Sequence, residues 1–177
     1  MAGSLIKIDE EIVTSAVASV TLTGIDSTYD VYMLTINNVD NSNAGSVKAR
    51  VIKASDSSVD STANYDSAWK GIRTIGSFSN QSYTNQTEFK DLAWSQNTGD
   101  QETAQGTYYL FNFYNASEYS FITFESLTYG FPNTSKELLS TTGGGVHTVA
   151  QSNSGIYIVP TSNNFVAGTF TLYGLKK

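Results

Sequence analysis

The feature that most constrains this chain is a series of short apolar runs, each bounded by residues that favour turns. In one run, Val20 and Leu22 alternate with Thr21 and Thr23 and are followed by Gly24. A period of two is typical of a strand with one buried and one exposed face. Runs of this kind recur about eight to ten times, at the spacing expected of two packed sheets. The pattern therefore predicts an all-β fold, an antiparallel β-sandwich that is jelly-roll-like.

The positions of the strands are predicted from the same alternation. The clearest strands lie at residues 18–23, 31–36, 47–52, 107–114, 119–127, 155–159 and 168–175, with shorter ones within residues 69–94 and at residues 146–150. Polar segments predict loops at residues 54–68 and 95–106. The helical candidates are residues 9–17 and a turn near residues 135–140. In the last strand, Phe170 and Leu172 are expected to face the core.

Composition also favours strands over helices. Only 15% of the residues are charged, while the chain contains 11 Tyr and 9 Phe, and aromatic residues are enriched in strands. A length of 177 residues fits a single domain. We expect one β-sandwich domain at residues 17–177, preceded by residues 1–16 as an N-terminal arm or as the first strand.

The overall charge and the lack of cysteine exclude several kinds of function. Lys and Arg total 10 against 16 Asp and Glu, a formal net charge of −6, so no nucleic-acid partner is expected. Because the chain has no cysteine, thiol catalysis and thiolate zinc sites are excluded. The sequence shows neither a secretory signal nor an apolar run long enough to span a membrane. We therefore expect no membrane partner.

Catalytic chemistry finds little support in the motifs. His147 is the single histidine, and no serine-hydrolase, metalloprotease or phosphate-loop motif accompanies it. We expect His147 to be an ordinary surface or core residue, and the preceding glycines 143–145 to form a hinge or tight loop. A loosely bound calcium ion at the oxygen-rich residues 56–66 is a weaker alternative. The sequence predicts no catalytic residue, no metal site and no cofactor.

Acidic residues leave one enzymatic alternative, a glycoside hydrolase that uses two carboxylates. The nearest candidates are Asp100, Glu102, Glu118 and Glu125. Such a pair is defined by the separation of its carboxylates across a cleft, which a sequence does not give. Glu125 shares a strand face with Phe121 and Leu127, so partial burial is one expectation for it. A solvated carboxylate is the favoured one.

Three aromatic residues stand in polar surroundings. Trp69, Tyr83 and Trp94 lie among amide and hydroxyl side chains, a mixture that suits the stacking and hydrogen bonding of sugars. The favoured interpretation is that these amphipathic rings anchor long loops onto the core. A glycan-binding face formed by the three residues is the alternative.

Both ends of the chain resemble the small β-rich virion proteins of tailed bacteriophages. The similarity is carried by residues 19–25 and 29–32 near the start, and by residues 155–158 and 164–176 at the end. The ending reads Gly-Thr-x-x-Leu-Tyr-Gly-Leu-Lys, which resembles the last strand of those proteins. The pair Asn64-Tyr65 in the loop after the third strand is also similar. The middle of the chain carries no resemblance.

The resemblance implies a non-enzymatic structural protein of the virion. Proteins of this group are head decoration (cement) proteins or distal domains of tail fibres. Since the chain shows neither heptads nor a Gly-x-y period for a fibre shaft, we expect a decoration protein that stabilises the head by bridging coat subunits. The implied partner is the major capsid protein, and the implied state is a homotrimer on the particle surface, assembled in the host cytoplasm. A carbohydrate-binding receptor module of the tail is the alternative.

The N-terminal segment offers a candidate contact with the coat protein. Leu5, Ile6 and Ile8 surround Lys7 in a strand-like pattern. Such a segment can add a strand to a neighbouring subunit by edge pairing. It can equally be the first strand of the domain itself. Under the receptor alternative, host glycan would instead contact Trp69, Tyr83 and Trp94.

Overall fold

Two antiparallel sheets packed face to face form the part of the chain that the structure describes. The computed structural model describes residues 4–96, 102–130 and 136–176. The strands are β1 Leu5–Val13, β2 Val20–Thr23, β3 Val31–Asn41, β4 Gly45–Lys53, β5 Tyr65–Arg73, β6 Ser79–Gln86, β7 Phe89–Gln96, β8 Ala104–Phe111, β9 Ser120–Tyr129, β10 Leu138–His147, β11 Asn153–Pro160 and β12 Phe165–Leu175. None of the described residues belongs to a helix that is long and apolar enough to cross a membrane.

The two sheets are unequal in width. Eight strands form the larger sheet in the order β1-β12-β3-β8-β9-β10-β5-β6, and four form the smaller sheet in the order β2-β11-β4-β7. The β-sandwich prediction is confirmed. The described residues hold twelve strands, more than the about eight to ten expected from the sequence pattern.

The core fills the space between the sheets with large side chains. Tyr32, Tyr108, Phe89 and Phe165 are fully buried there, together with aliphatic residues of both sheets. Phe170 and Leu172 of β12 are also fully buried, as their alternation predicted. Burying a side chain of this size contributes roughly 1.5–3 kcal/mol, so contact between the sheets supplies most of the driving force for the fold.

The N-terminal segment is the edge strand of the larger sheet, which corrects the helix expected at residues 9–17. β1 pairs with β12 from Leu5↔Leu175 to Val13↔Gly168, with a bulge between Lys7 and Asp9. From Asp9 to Val13 the pairing with β12 is regular, so this part of the helix candidate is strand. The turn expected near residues 135–140 is likewise strand from Leu138 onward, and residues 131–135 lie outside the described residues.

Two predicted loops are shorter than expected. β5 begins at Tyr65, inside the loop expected at residues 54–68. The buried Tyr65 hydroxyl donates to the Asp60 carbonyl at 2.7 Å and accepts from the Val51 amide at 3.1 Å, which anchors the loop to β4. The loop expected at residues 95–106 is bounded by the end of β7 and the start of β8 at Ala104; residues 97–101 of it lie outside the described residues.

The three consecutive glycines lie in the middle of β10, so the expected hinge is wrong. Gly143 is paired with Trp69 and Phe124, and Gly145 with Ser67 and Ile122. A Cβ atom on Gly143 would lie 2.6 Å from the Trp69 Cβ, and one on Gly145 would lie 2.8 Å from the Phe89 ring. These two glycines therefore let bulky core side chains approach the β10 backbone.

We expect Gly143→Ala to lower the free energy of unfolding by about 1–3 kcal/mol, the usual cost of overpacking a core. Gly144→Ala is the matched control, because its Cβ would meet only the Ile122 carbonyl oxygen at 3.0 Å and a Thr123 methyl at 3.9 Å. Urea unfolding followed by tryptophan fluorescence measures both variants. Equal losses in the two variants would contradict a packing role for Gly143.

Candidate functional site

The outer face of the larger sheet carries a line of polar side chains across five strands. Thr142 of β10 lies opposite Glu125 of β9, which lies opposite Thr107 of β8. Thr107 in turn lies opposite Thr35 of β3, and Thr35 opposite Thr171 of β12. Directly opposed residues of antiparallel strands share one face of the sheet. We call these five residues the polar row.

Strict alternation in β9 places Glu125, with Thr107 and Thr142 beside it, on the solvent side, whereas Thr171 at the end of the row is buried. From Ser120 to Tyr129 every second residue is buried and every other is exposed. The buried set, which includes Ile122 and Phe124, faces the smaller sheet, so Glu125 faces solvent. The partial burial considered for Glu125 is therefore wrong, because its face of β9 is the one that no second sheet covers.

The face around the polar row is concave. A cleft of about 450 Å³ is lined by residues of β3, β8, β9, β10 and β5, including Ile72 and Leu127 on one wall. A second cleft of about 560 Å³ shares Thr107, Glu125 and Thr142 with the first and is bounded by Tyr109. We call the two together the outer cleft. Its floor is polar, and its walls are aliphatic on one side and aromatic on the other.

Glu125 is the charged group at the centre of this cleft. Within the described part of the chain it is engaged in neither a hydrogen bond nor an ion pair. Lys70 stands opposite Thr142 in the register, yet its ammonium lies 4.8 Å above the centre of the Phe78 ring. The carboxylate oxygens of Glu125 are therefore available to accept hydrogen bonds from a ligand.

The structure does not bring the candidate hydrolase carboxylates together. Glu102 is buried and ion-paired with Lys136 at 2.5 Å, beside Gly130 at one end of β9. Glu118 is exposed in the turn before β9, and Glu125 lies near the middle of the strand. At about 3.4 Å per residue, Glu125 is about 17 Å along the strand from Gly130, beyond the separation of a glycosidase pair. Asp100 lies outside the described residues.

The three aromatic residues considered for glycan binding pack in or against the core instead. Trp69 is only 4% exposed, and Trp94 packs against the same core cluster, with the two indole centroids 4.7 Å apart. Tyr83 is partly buried, and its hydroxyl donates to Asp91 at 2.5 Å. The glycan-binding assignment is therefore corrected, because Trp69 is buried and Trp94 and Tyr83 are packed against the core. The favoured interpretation, rings that anchor the chain to the core, is the one that fits.

The N-terminal residues divide between solvent and core. Leu5 and Ile6 are 52% and 39% exposed on the edge strand β1, while Ile8 packs against the core. Ile12, further along the strand, is 59% exposed. Of the two interpretations of this segment, the structure supports a first strand of the domain, and its exposed aliphatic residues remain available for a partner.

A buried ion cluster joins β4 to β7. Glu88 accepts hydrogen bonds from Lys48 at 3.2 Å, Arg50 at 2.5 Å and Lys90 at 2.5 Å. Burial by itself raises the pKa of Glu88, but the hydrogen bonds from Lys90 and Arg50 and the charge of Lys48 outweigh it and lower the pKa to about 2. Every charge in the cluster has a partner, so we assign it to sheet stability.

His147 is also a structural group. Its side chain is fully buried, with Nε2 3.3 Å from the Asp60 carboxylate and the ring 4.6 Å from that of Tyr65. Burial lowers the pKa of His147 more than the Asp60 charge raises it. Burial raises the pKa of Asp60, but hydrogen bonds from Thr62 and the charge of His147 bring it below its usual value. At neutral pH the pair is therefore a neutral imidazole beside a carboxylate.

Comparisons with known proteins give no match to a family model, to a curated protein or to a solved structure. In the described ranges of the chain, no group of three or more His, Asp or Glu side chains is placed to hold a metal ion. The outer cleft is thus the candidate site on its geometry alone. The alternation in β9 indicated which residues share a face, but the neighbours of Glu125 on other strands carry no signal in sequence.

We expect stability to fall as the pH is lowered from 7.5 to 5.5, by at most about 1.4 kcal/mol per pH unit. A folded-state pKa below the unfolded value of about 6.5 means that protonation of His147 favours unfolding. His147 is the only histidine, so urea unfolding of wild type and His147→Gln at both pH values isolates its effect. The same pH dependence in both proteins would overturn this assignment.

Proposed function

We propose that this protein is a non-enzymatic structural subunit of a tailed-phage particle, and within the particle a decoration subunit that bridges coat proteins on the head. The major capsid protein is its partner, and the subunit is a homotrimer at the particle surface after assembly in the host cytoplasm. The observation that supports the proposal best is the exposed aliphatic edge formed by Leu5, Ile6 and Ile12 on β1.

An edge strand with exposed aliphatic residues suits contact with another protein. Within the described residues β1 pairs with one strand, β12, so its other edge presents backbone groups. The bulge between Lys7 and Asp9 and the acidic side chains that follow restrict continuous pairing. We therefore assign the contact to the two ends of β1, where Leu5 and Ile12 lie, rather than to strand addition along its whole length.

The receptor-binding module of a tail is the second candidate. The outer cleft favours this second candidate, because a concave polar surface with apolar walls is typical of a small-ligand site. The two candidate functions use different surfaces of the protein, because the outer cleft lies away from the free edge of β1. Variants of the two surfaces therefore separate the two functions.

We expect the double variant Leu5→Asp/Ile12→Asp to lose at least about tenfold in affinity for heads assembled without this subunit, since two exposed anchors become charged. Ile75→Asp is the matched control: an exposed isoleucine of similar accessibility in the turn before β6. Co-sedimentation with heads measures binding, light scattering measures the trimer, and circular dichroism verifies folding. Unchanged occupancy, or an equal loss in the control, counts against the proposal.

A further inference from the structure

We propose that the outer cleft binds a saccharide chain laid across the strands of the larger sheet. The inference concerns a surface and a ligand separate from the aliphatic edge of β1, and it does not depend on a role in particle assembly. It rests on the polar row, on the apolar walls beside the row and on the pairing of the central strands on both sides.

The accessible part of the polar row has a length and a chemistry that suit several consecutive sugar units. Three threonines and one glutamate of the row line the cleft on four adjacent strands, β3, β8, β9 and β10, while the fifth residue, Thr171, is buried and donates to Glu10. With neighbouring strands about 4.8 Å apart, these four residues span about 14 Å. A hydroxyl both donates and accepts hydrogen bonds, and a carboxylate accepts several. Such a row is complementary to the repeated hydroxyl groups of a sugar chain.

The walls of the cleft match the other surface of a sugar, its C–H groups. Tyr109 borders the row on one side, and Ile72 and Leu127 border it on the other. All three side chains are substantially exposed, so they provide apolar contact without any rearrangement of the core. A polar floor between apolar walls is the usual character of a specific small-ligand site.

The backbone of the sheet argues against a peptide strand as the occupant. β8, β9 and β10 are each paired on both sides, so their backbone groups are used within the sheet and strand addition is impossible there. A large protein interface is also disfavoured, because interface centres are depleted in charge and Glu125 stands at the centre of this one. A phosphate-rich ligand would be repelled by the same carboxylate.

Glu125 is the residue on which recognition depends most. Its carboxylate stands at the floor of both parts of the cleft, in line with Thr107 and Thr142 on the two sides. Glu10 lies beside Thr171 at the far end of the row, where it accepts from Thr171 and Lys7. Three strands separate the two acids, so the arrangement provides binding without the paired carboxylates of hydrolysis.

The test is a glycan array of bacterial capsular, O-antigen and neutral polysaccharides, probed with the labelled full chain. We expect the array to retain the protein on at least one polysaccharide class. Calorimetry with an oligosaccharide of that class then measures the affinity. Glu125→Gln should weaken that binding about tenfold because a charged acceptor becomes neutral, and Tyr109→Ala should weaken it about tenfold because an apolar wall of the cleft is lost. Tyr119→Ala, an exposed tyrosine outside the cleft, should have no effect.

The outcomes are distinct from those for particle assembly. No retained glycan, or glycan binding that both cleft variants leave unchanged, overturns the inference. Loss of head binding in Glu125→Gln with glycan binding intact would likewise overturn it, because the cleft would then be a protein interface. Melting temperatures of the variants within a few degrees of wild type show that any loss is local.

Discussion

The structure depends on a mismatch in width between its two sheets. Four strands cover the inner face of a sheet that has eight, and the core between them includes large aromatic residues such as Tyr108 and Phe170. The aromatic content of the chain is therefore used largely for packing. Only one face of the larger sheet is covered by a second sheet, and the opposite face is exposed on the central strands.

This arrangement decides which residues are available for function. Trp69 is buried and Trp94 packs against it with the two rings tilted, and Gly143 and Gly145 leave room for the side chains packed around them. Among the exposed surfaces of the described residues are the free edge of β1 and the concave outer face. One presents aliphatic side chains and suits a protein partner, while the other presents hydroxyl groups around a carboxylate and suits a polyhydroxylated ligand.

Buried charges in this protein stabilise the fold. Glu88 is surrounded by Lys48, Arg50 and Lys90, and His147 faces Asp60. A perturbed pKa is often a sign of catalysis, but structural ion pairs produce the same shift. Here Glu88 is paired on the smaller sheet and His147 in the core, whereas Glu125, which is exposed in the outer cleft, is unpaired among the described residues.

The sequence by itself determined the class of the fold, because alternation along a strand is a local property. It predicted strands at β3, β4, β8, β9, β11 and β12 and the inward direction of Phe170 and Leu172. It did not determine which face of β9 is buried, since Phe121 and Leu127 on one face are as apolar as Ile122 and Phe124 on the other. It predicted short strands within residues 69–94 but not the bounds of β6, which has almost no apolar residues. For residues 1–16 it left an arm and a first strand open, and the structure decides for the strand β1. The polar row was decided by tertiary structure alone, because it joins residues up to 136 positions apart in sequence, Thr35 and Thr171, and such pairing depends on register between distant strands.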